Sequence, residues 1–473
     1  MQLKKIFFLL FYSFILIACV PKINKIDSID ESKISDELKS LDIRDNKNEL
    51  NIKWWEYFQD EQLNTIINKA LEESASLKSI EQRYDKAKSL IKSIESENLP
   101  NISFDSNITR ERFSANHIFP APLGGGTFTA YHLATTLDYK FDFWDERKSK
   151  IKSAINRAIA QKVFIEESKL NLSLGITQLY LSWNFNEKKI AELEKIVNIL
   201  NNEFEIIKQR YESGLIDEIT LNNKKAQIFQ MKYNIYSLVE IIKAEKASIC
   251  ILGGFLPSYA ESMSKPNISN INLPLPKDIH LNLLSNRADV IIQKYIVRSN
   301  EQNINVAVSK FYPNIDLSGL LGFTSFDSSE FLAKSSSVPS LGIAVDLPIF
   351  DWGKREANLD DKVIDYNSSI YEYNDIVLKA VNQVVGVLKK IDYKNLQLDM
   401  HEKELKTKEA NEHISNKRFS IGLSDKVPYL DSQIDTLLNH ISGFELEKSH
   451  CDLELELIKA LGGGFKEENI KND

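Results

Sequence analysis

The sequence predicts a mixed α and β fold: one unit written twice, each copy giving two long strands and then a long coiled-coil helical hairpin. Three observations predict it. A block of sequence recurs at a nearly constant offset. Four segments alternate apolar with polar residues. Most of the remaining chain repeats apolar residues at steps of three and four.

The repeat decides the organisation. At a shift of 208, Leu133-Ala134-Thr135-Thr136-Leu137-Asp138 falls on Leu341-Gly342-Ile343-Ala344-Val345-Asp346. The same shift puts Trp144 on Trp352 and Arg147 on Arg355. It also puts Arg210-Tyr211-Glu212-Ser213-Gly214-Leu215 on Arg418-Phe419-Ser420-Ile421-Gly422-Leu423. Leu252-Gly253-Gly254 meets Leu461-Gly462-Gly463, and Pro100-Asn101-Ile102 meets Pro313-Asn314-Ile315. The first repeat spans 51–255 and the second 279–465. The linker 256–278 carries Pro257, Pro266, Pro274 and Pro276, and 466–473 is a C-terminal tail.

Strands are expected at about 101–114 and 128–143, and again at about 313–326 and 338–350. From Tyr131 to Phe143 the odd positions are mainly aromatic or aliphatic and the even ones polar or small. Leu341, Ile343, Val345, Leu347 and Ile349 repeat the pattern. Strands of this length suit a tilted membrane crossing, which takes about 9–11 residues. Four such strands leave unpaired edge amides, each costing several kcal/mol in hydrocarbon. The sheet must therefore close with copies of itself: eight strands from two copies, twelve from three.

The helices carry a 3.5-residue seam. One line is Val377, Val381, Val384, Leu388 and Ile391. A second is Leu430, Ile434, Leu437, Ile441 and Phe444, resuming at Cys451, Leu455 and Ile458. A third is Ile228, Met231, Ile235, Leu238, Ile242, Ile249 and Leu252. The stretch from Arg147 to Arg210 has no Pro; as one helix it would run roughly 95 Å. Each hairpin has its tip at a Gly-Leu pair, within 210–218 and 418–426. A tight helix–helix turn needs positive φ, which Gly214 and Gly422 supply. Leu215 and Leu423 beside them are apolar residues at exposed tips, which invite a partner.

The N-terminus reads as a secretion signal over 1–18. Lys4 and Lys5 precede the apolar run Ile6–Ala18, too short to span a bilayer. Leu16-Ile17-Ala18-Cys19 resembles the bacterial lipobox, making Cys19 the lipidated first residue of a polar tail, 19–50. Val20 stands where an Asp would hold a lipoprotein at the inner membrane, so the outer membrane is expected.

Composition narrows the function. With 43% hydrophobic and 27% charged residues, a multi-helix inner-membrane protein is excluded, but a barrel is not. The net charge of -8 and the lack of basic clusters argue against nucleic acid. His117, His132, His280, His401, His413, His440 and His450 form no zinc spacing. Gly124-Gly125-Gly126 lacks the Lys-Ser/Thr of a phosphate loop, and no nucleophile elbow or dinucleotide fingerprint occurs. No enzyme, metal or cofactor is expected beyond a covalent lipid on Cys19. Cys250 and Cys451 read as buried thiols, with a periplasmic disulfide the alternative.

Over roughly residues 50–465 the chain resembles the TolC/OprM-type outer-membrane efflux proteins, closest to the lipidated OprM-like branch. The resemblance rests on Trp54-Trp55-Glu56-Tyr57-Phe58-Gln59-Asp60, on Arg287-Ala288-Asp289 (Ala288 replacing the usual Pro), and above all on the duplicated Arg-aromatic-x-x-Gly-Leu turns. It implies a homotrimer with a twelve-stranded outer-membrane barrel and a periplasmic α-barrel. The tips at Gly214, Leu215, Gly422 and Leu423 would meet a periplasmic adaptor linked to an inner-membrane pump of the RND type. Asp431 matches a carboxylate that rings the closed tunnel end. Pro428 and Ser424 replace a second acid and an Arg of the TolC type, which argues against that second ring and that Arg-based latch. Trp144 and Trp352, at the strand-to-helix junctions, are expected membrane-interface anchors facing outer-membrane lipid. The implied role is the exit duct for small molecules. A type I protein-secretion duct and an envelope-tethering coiled-coil lipoprotein are the alternatives.

Overall fold

The computed structural model describes residues 22–28, 51–116, 118, 120–268, 273 and 286–467. The signal segment and Cys19 lie outside them. The chain forms two compact units from interleaved segments. One takes the chain up to Ser28, Arg83–Gln161 and Gln293–Tyr373; the other takes Ile29–Gln82, Lys162–Ile292 and Asn374 onward. Each unit thus draws on both repeats.

The first unit holds the sheet: β1 (Asn101–Arg112), β2 (Thr127–Lys140), β3 (Asn314–Ser325) and β4 (Ser340–Asp346), antiparallel in the order β1-β2-β3-β4. Register sorts most side chains by face, with Leu320 and Phe128 the large apolar residues on the polar side. Ile102 pairs with Leu137, Phe104 with Thr135, Tyr139 with Leu317 and Leu317 with Ile343, all on one face. The opposite face carries Ser103 against Thr136, Asp138 against Ser318, and His132 against Thr324. Ile102, Phe104, Ile108, Leu321, Leu341, Ile343 and Val345 are all exposed on the apolar face. Among the described residues no helix therefore covers this face.

β2 and β4 stop three and four residues short of their expected ends. β2 ends at Lys140 because Asp142 turns the chain into the next helix, its carboxylate accepting from the Arg147 and Lys148 amides at 3.1 Å. β4 ends at Asp346, two residues before Pro348, which has no amide to donate. The buried Arg147 staples the junction. It donates to the carbonyls of Glu97 and Lys140 and lies 5.4 Å from the Tyr139 ring centroid. Its repeat counterpart Arg355 binds Asp351 at 2.8 Å and lies 5.4 Å from the Phe311 ring centroid.

Helices α1 (Glu61–Glu73) and α2 (Ala75–Ser96) precede the sheet. The hairpin α3 (Glu146–Glu212) and α4 (Glu218–Gly253) follows β2. A short α5 (Pro257–Ser262) interrupts the expected linker. Then come α6 (Ala288–Ser309), β3, β4, and the hairpin α7 (Lys354–Ser420) and α8 (Val427–Ala460). The second unit's core joins Trp54, Trp55, Phe58, Leu63, Ile66 and Ile67 to Tyr180 and Trp183 of α3. The Asp60 carboxylate caps α1 through the Leu63 amide and accepts from the Tyr180 hydroxyl at 3.0 Å. Cys250 and Cys451 are free and buried.

Within the second unit the long helices pack as a series. Lys224 of α4 pairs with Glu203 of α3 at 2.6 Å. Leu193, Ile196 and Leu200 of α3 cluster with Ile434, Leu437 and Ile441 of α8. Lys408 of α7 pairs with Asp435 of α8 at 3.3 Å. The seam holds with local shifts: on α7 the buried line is Val377, Ala380, Val384 and Val387, and Leu252 on α4 is exposed. At the two ends of the series α4 exposes Phe229, Tyr233 and Tyr236, while α7 exposes Tyr393, Leu396 and Met400.

At Gly322 the β2 backbone leaves no room for a side chain. A Cβ there would lie 2.3 Å from the Leu133 carbonyl oxygen. Gly322→Val is therefore expected to break the β2–β3 pairing. Recovery of membrane-inserted protein should collapse, and normal recovery would contradict the register.

Candidate functional sites: hairpin tips and membrane face

Both tips close by the same backbone device. The Leu215 amide reaches back to the Arg210 carbonyl at 2.8 Å, and the Leu423 amide to the Arg418 carbonyl at 2.8 Å. Gly214 and Gly422 take φ of 74° and 76°. No atom lies within 4 Å of a Cβ built on either, so their need is conformational and not steric. Asp217 then caps α4, accepting from the Thr220 amide at 2.8 Å. The second tip instead starts its helix with Pro428 in the first turn. Leu215 is 73% exposed and Leu423 69%, with Ile219 and Ile421 also exposed. Each hairpin thus ends in an uncovered apolar tip.

The two tips are tied by a pair that sequence reading missed. Arg210, from the first repeat's turn, binds Asp425 just past the second. The Arg210 hydrogen bond, aided by the Lys426 and Val427 amides, holds the Asp425 carboxyl below its ordinary value. Ser424 does leave the expected Arg position empty, but the preceding repeat supplies an arginine.

Asp431 is exposed on α8. Its neighbourhood holds Glu203, which is 1% exposed and paired with Lys224, with its second carboxylate oxygen unpartnered. Burial pushes the Glu203 carboxyl up against the pull of Lys224, and the Asp431 charge adds to the rise.

The sheet's ends are lined by aromatics. At the hairpin-loop end Phe113, Phe128 and Phe326 cluster with centroids 5.6 to 6.1 Å apart, and Tyr131 meets Phe331 at 5.6 Å. At the helix end Tyr139, Phe141 and Phe143 run in contact. Trp144 stacks on Tyr312 at 4.6 Å and donates its indole N–H to the Pro313 carbonyl at 2.8 Å. Trp352 is 89% exposed, with Phe350 at 4.7 Å its ring neighbour. By register Phe113, Phe128 and Phe326 lie on the face of Thr136 and His132, whereas Tyr131 and Tyr139 lie on the apolar face, which thus carries an aromatic toward each end, as an outer-membrane barrel wall does. The loop-end row went unread in the sequence because its members lie in a Gly- and Ser-rich context and meet only through strand pairing.

Farther along the helices lie two repeat-related buried carboxylates. Glu245 accepts from Asn186 at 3.1 Å. Glu454 has one unpartnered oxygen, and burial pushes it up to about 7. Among the described residues no group of His, Cys, Asp and Glu could hold a metal ion, and no helix is long and apolar enough to cross a membrane.

With this geometry in hand, the comparisons are consistent. The outer membrane efflux protein family matches residues 66–238 and 281–463, and the chain belongs to that family. It is an outer-membrane efflux channel and not an enzyme. The multidrug resistance outer membrane protein MdtQ of Escherichia coli CFT073 is 24% identical over 429 residues, covering 87% of this chain and 88% of that protein. MdtP of Escherichia coli K12, named likewise, is 23% identical over 429 residues, covering 87% and 86%. Among solved structures, the Campylobacter jejuni CmeC outer membrane channel superposes with TM-score 0.83 at 20% identity, covering 96% of both chains. The Vibrio cholerae outer membrane protein VceC gives 0.80 at 23% identity, covering 88% of this chain and all of that one.

The Glu454 carboxyl binds its proton more tightly in the fold than unfolded. The cost of its ionisation is small near pH 4 and grows as pH rises from 4.5 to about 7. Glu454→Gln should leave the unfolding midpoint unchanged near pH 4. At pH 8 it should raise stability by about 3 kcal/mol, at about 1.4 kcal/mol per tenfold change. A pH-independent effect in a thermal melt would contradict the buried neutral acid.

Proposed function

We propose that this chain is the exit duct of a tripartite efflux pump. Three copies close a twelve-stranded barrel in the outer membrane and continue as a helical tunnel in the periplasm. Small molecules such as drugs pass through it from an inner-membrane transporter to the outside. The observation that carries this is the sheet itself: an exposed apolar face, a polar opposite face and two open edges. Ring closure satisfies the edges, turns the apolar face to lipid and leaves the polar face lining a channel. The open helical edges α4 and α7 support the same head-to-tail closure. The multidrug names of MdtQ and MdtP support small molecules over exported proteins.

In this reading Cys19 carries the lipid, and Trp144 and Trp352 mark the membrane surface. The tips at Gly214, Leu215, Gly422 and Leu423 receive a periplasmic adaptor, which couples the duct to a pump of the RND type. Asp431, repeated around the ring, favours cations and opposes anions at the closed end. The Arg210–Asp425 pair holds the two hairpins of each copy together there.

Single-channel recording tests the gate. Asp431→Ala is expected to raise conductance or weaken cation preference, and unchanged traces remove Asp431 from it. Leu215→Asp with Leu423→Asp should abolish co-purification with the adaptor while the oligomer survives. Retained co-purification would move the docking surface elsewhere.

A further inference from the structure

Three phenylalanines break the character of the sheet's polar face. Phe128 of β2 pairs with Glu111 of β1, on the side of His132 and Thr136. Phe113 extends β1 by one residue, its amide donating to the Gly126 carbonyl at 3.0 Å, and so points as Glu111 does. Phe326 follows Ser325 at the end of β3 and falls on the side of Thr324. The three rings gather with centroids 5.6 to 6.1 Å apart. A Cβ on Gly126 would stand 2.5 Å from the Phe128 ring, so glycine there keeps the ring's place open. The cluster is not a closed core, because Phe326 remains 50% exposed.

The rest of that face is polar and mainly acidic. Asp105 and Glu111 of β1, Asp138 of β2, Asp316 of β3 and Asp346 of β4 all lie on it. Lys140 stands against them, and it is already paired with Glu146 at 2.8 Å. The β1 arginines, Arg110 and Arg112, fall on the opposite face. Glu111 lies directly across from Phe128, where side chains on one face come within about 5 Å at Cβ. A ring face and a carboxylate side by side suit one kind of guest: a cation carried on a flat apolar body. The ring quadrupole draws the charge, the ring surface stacks on the body, and the carboxylate opposes anions.

We propose that Phe113, Phe128 and Phe326, with Glu111, form an aromatic collar that binds aromatic organic cations as they leave the channel. The proposal deepens the duct reading and rests on it. Ring closure turns this face to the lumen. The strand ends opposite the collar lead into α3 and α7, so the hairpin-loop end is the exit. Three of the four strands in each copy, β1, β2 and β3, end there in an inward phenyl ring. Cargo meets no comparable apolar surface elsewhere on this face, where Leu320 is the other large apolar side chain among the described residues.

Single-channel block of the full chain, reconstituted in a planar bilayer, tests the collar. The probes enter from the hairpin-loop side: phenyltrimethylammonium, its saturated counterpart cyclohexyltrimethylammonium, and the aromatic anion benzenesulfonate. The collar predicts block by phenyltrimethylammonium at severalfold lower concentration than by cyclohexyltrimethylammonium, and no block by benzenesulfonate in the same range. Phe128→Leu with Phe326→Leu should erase the preference between the two cations, while Phe128→Tyr with Phe326→Tyr should keep it. Glu111→Gln should weaken block by both cations alike. Equal block by the two cations in the unaltered channel would overturn the proposal, as would a preference that survives the leucine pair. A conducting trimer indifferent to all three probes sinks the collar alone. A preparation that forms no trimer or no channel sinks the duct reading, and the collar with it.

Discussion

Unpaired strand edges are the constraint on which the rest of this protein depends. The sheet has four strands, an uncovered apolar face, and outer edges on β1 and β4 whose amides have no neighbour in the order β1-β2-β3-β4. In water an edge is a hazard; in hydrocarbon each unpaired amide costs several kcal/mol. Such a sheet is stable in a membrane only as part of a closed ring. The helical series repeats the condition, ending in α4 and α7 with aromatic and aliphatic side chains exposed. A single copy is thus unfinished in both units, and the family to which it belongs is one of outer-membrane efflux channels.

The duplicated sequence explains how one chain builds these edges. Each repeat contributes a strand hairpin and a helix hairpin, and the interleaved units arise because both hairpins of a kind pack together. The arginine staples show the economy of the scheme. Arg147 gathers carbonyls from the end of α2 and of β2, where orphan acceptors would otherwise remain. Arg355 has a nearer carboxylate, Asp351, and binds that. One inherited position is used twice with different partners.

Much of the architecture was legible in the sequence. The offset of 208, the strand alternation and the positive-φ glycines at 214 and 422 all depend on local pattern. Local chemistry also explains where that reading overshot: Asp142 starts a helix and Pro348 stops a strand. The illegible part joins distant positions. Arg210 meets Asp425, Glu203 lies buried beside Lys224 and near Asp431, and Lys25 reaches Glu301. No periodicity marks such pairs, since each partner alone reads as an ordinary surface charge. Glu203 falls on the three-and-four seam of Leu193, Ile196, Leu200 and Ile207, but its charge disguises that position, and only packing against a neighbouring helix reveals its burial.

The central claim is that ring closure by identical copies completes the molecule. Native mass measurement of the detergent-extracted protein tests this most directly. The account expects a single species of three chains that conducts when reconstituted in a planar bilayer. A stable, well-folded monomer without conductance would contradict it, because both open edges would then have to be satisfied within one chain.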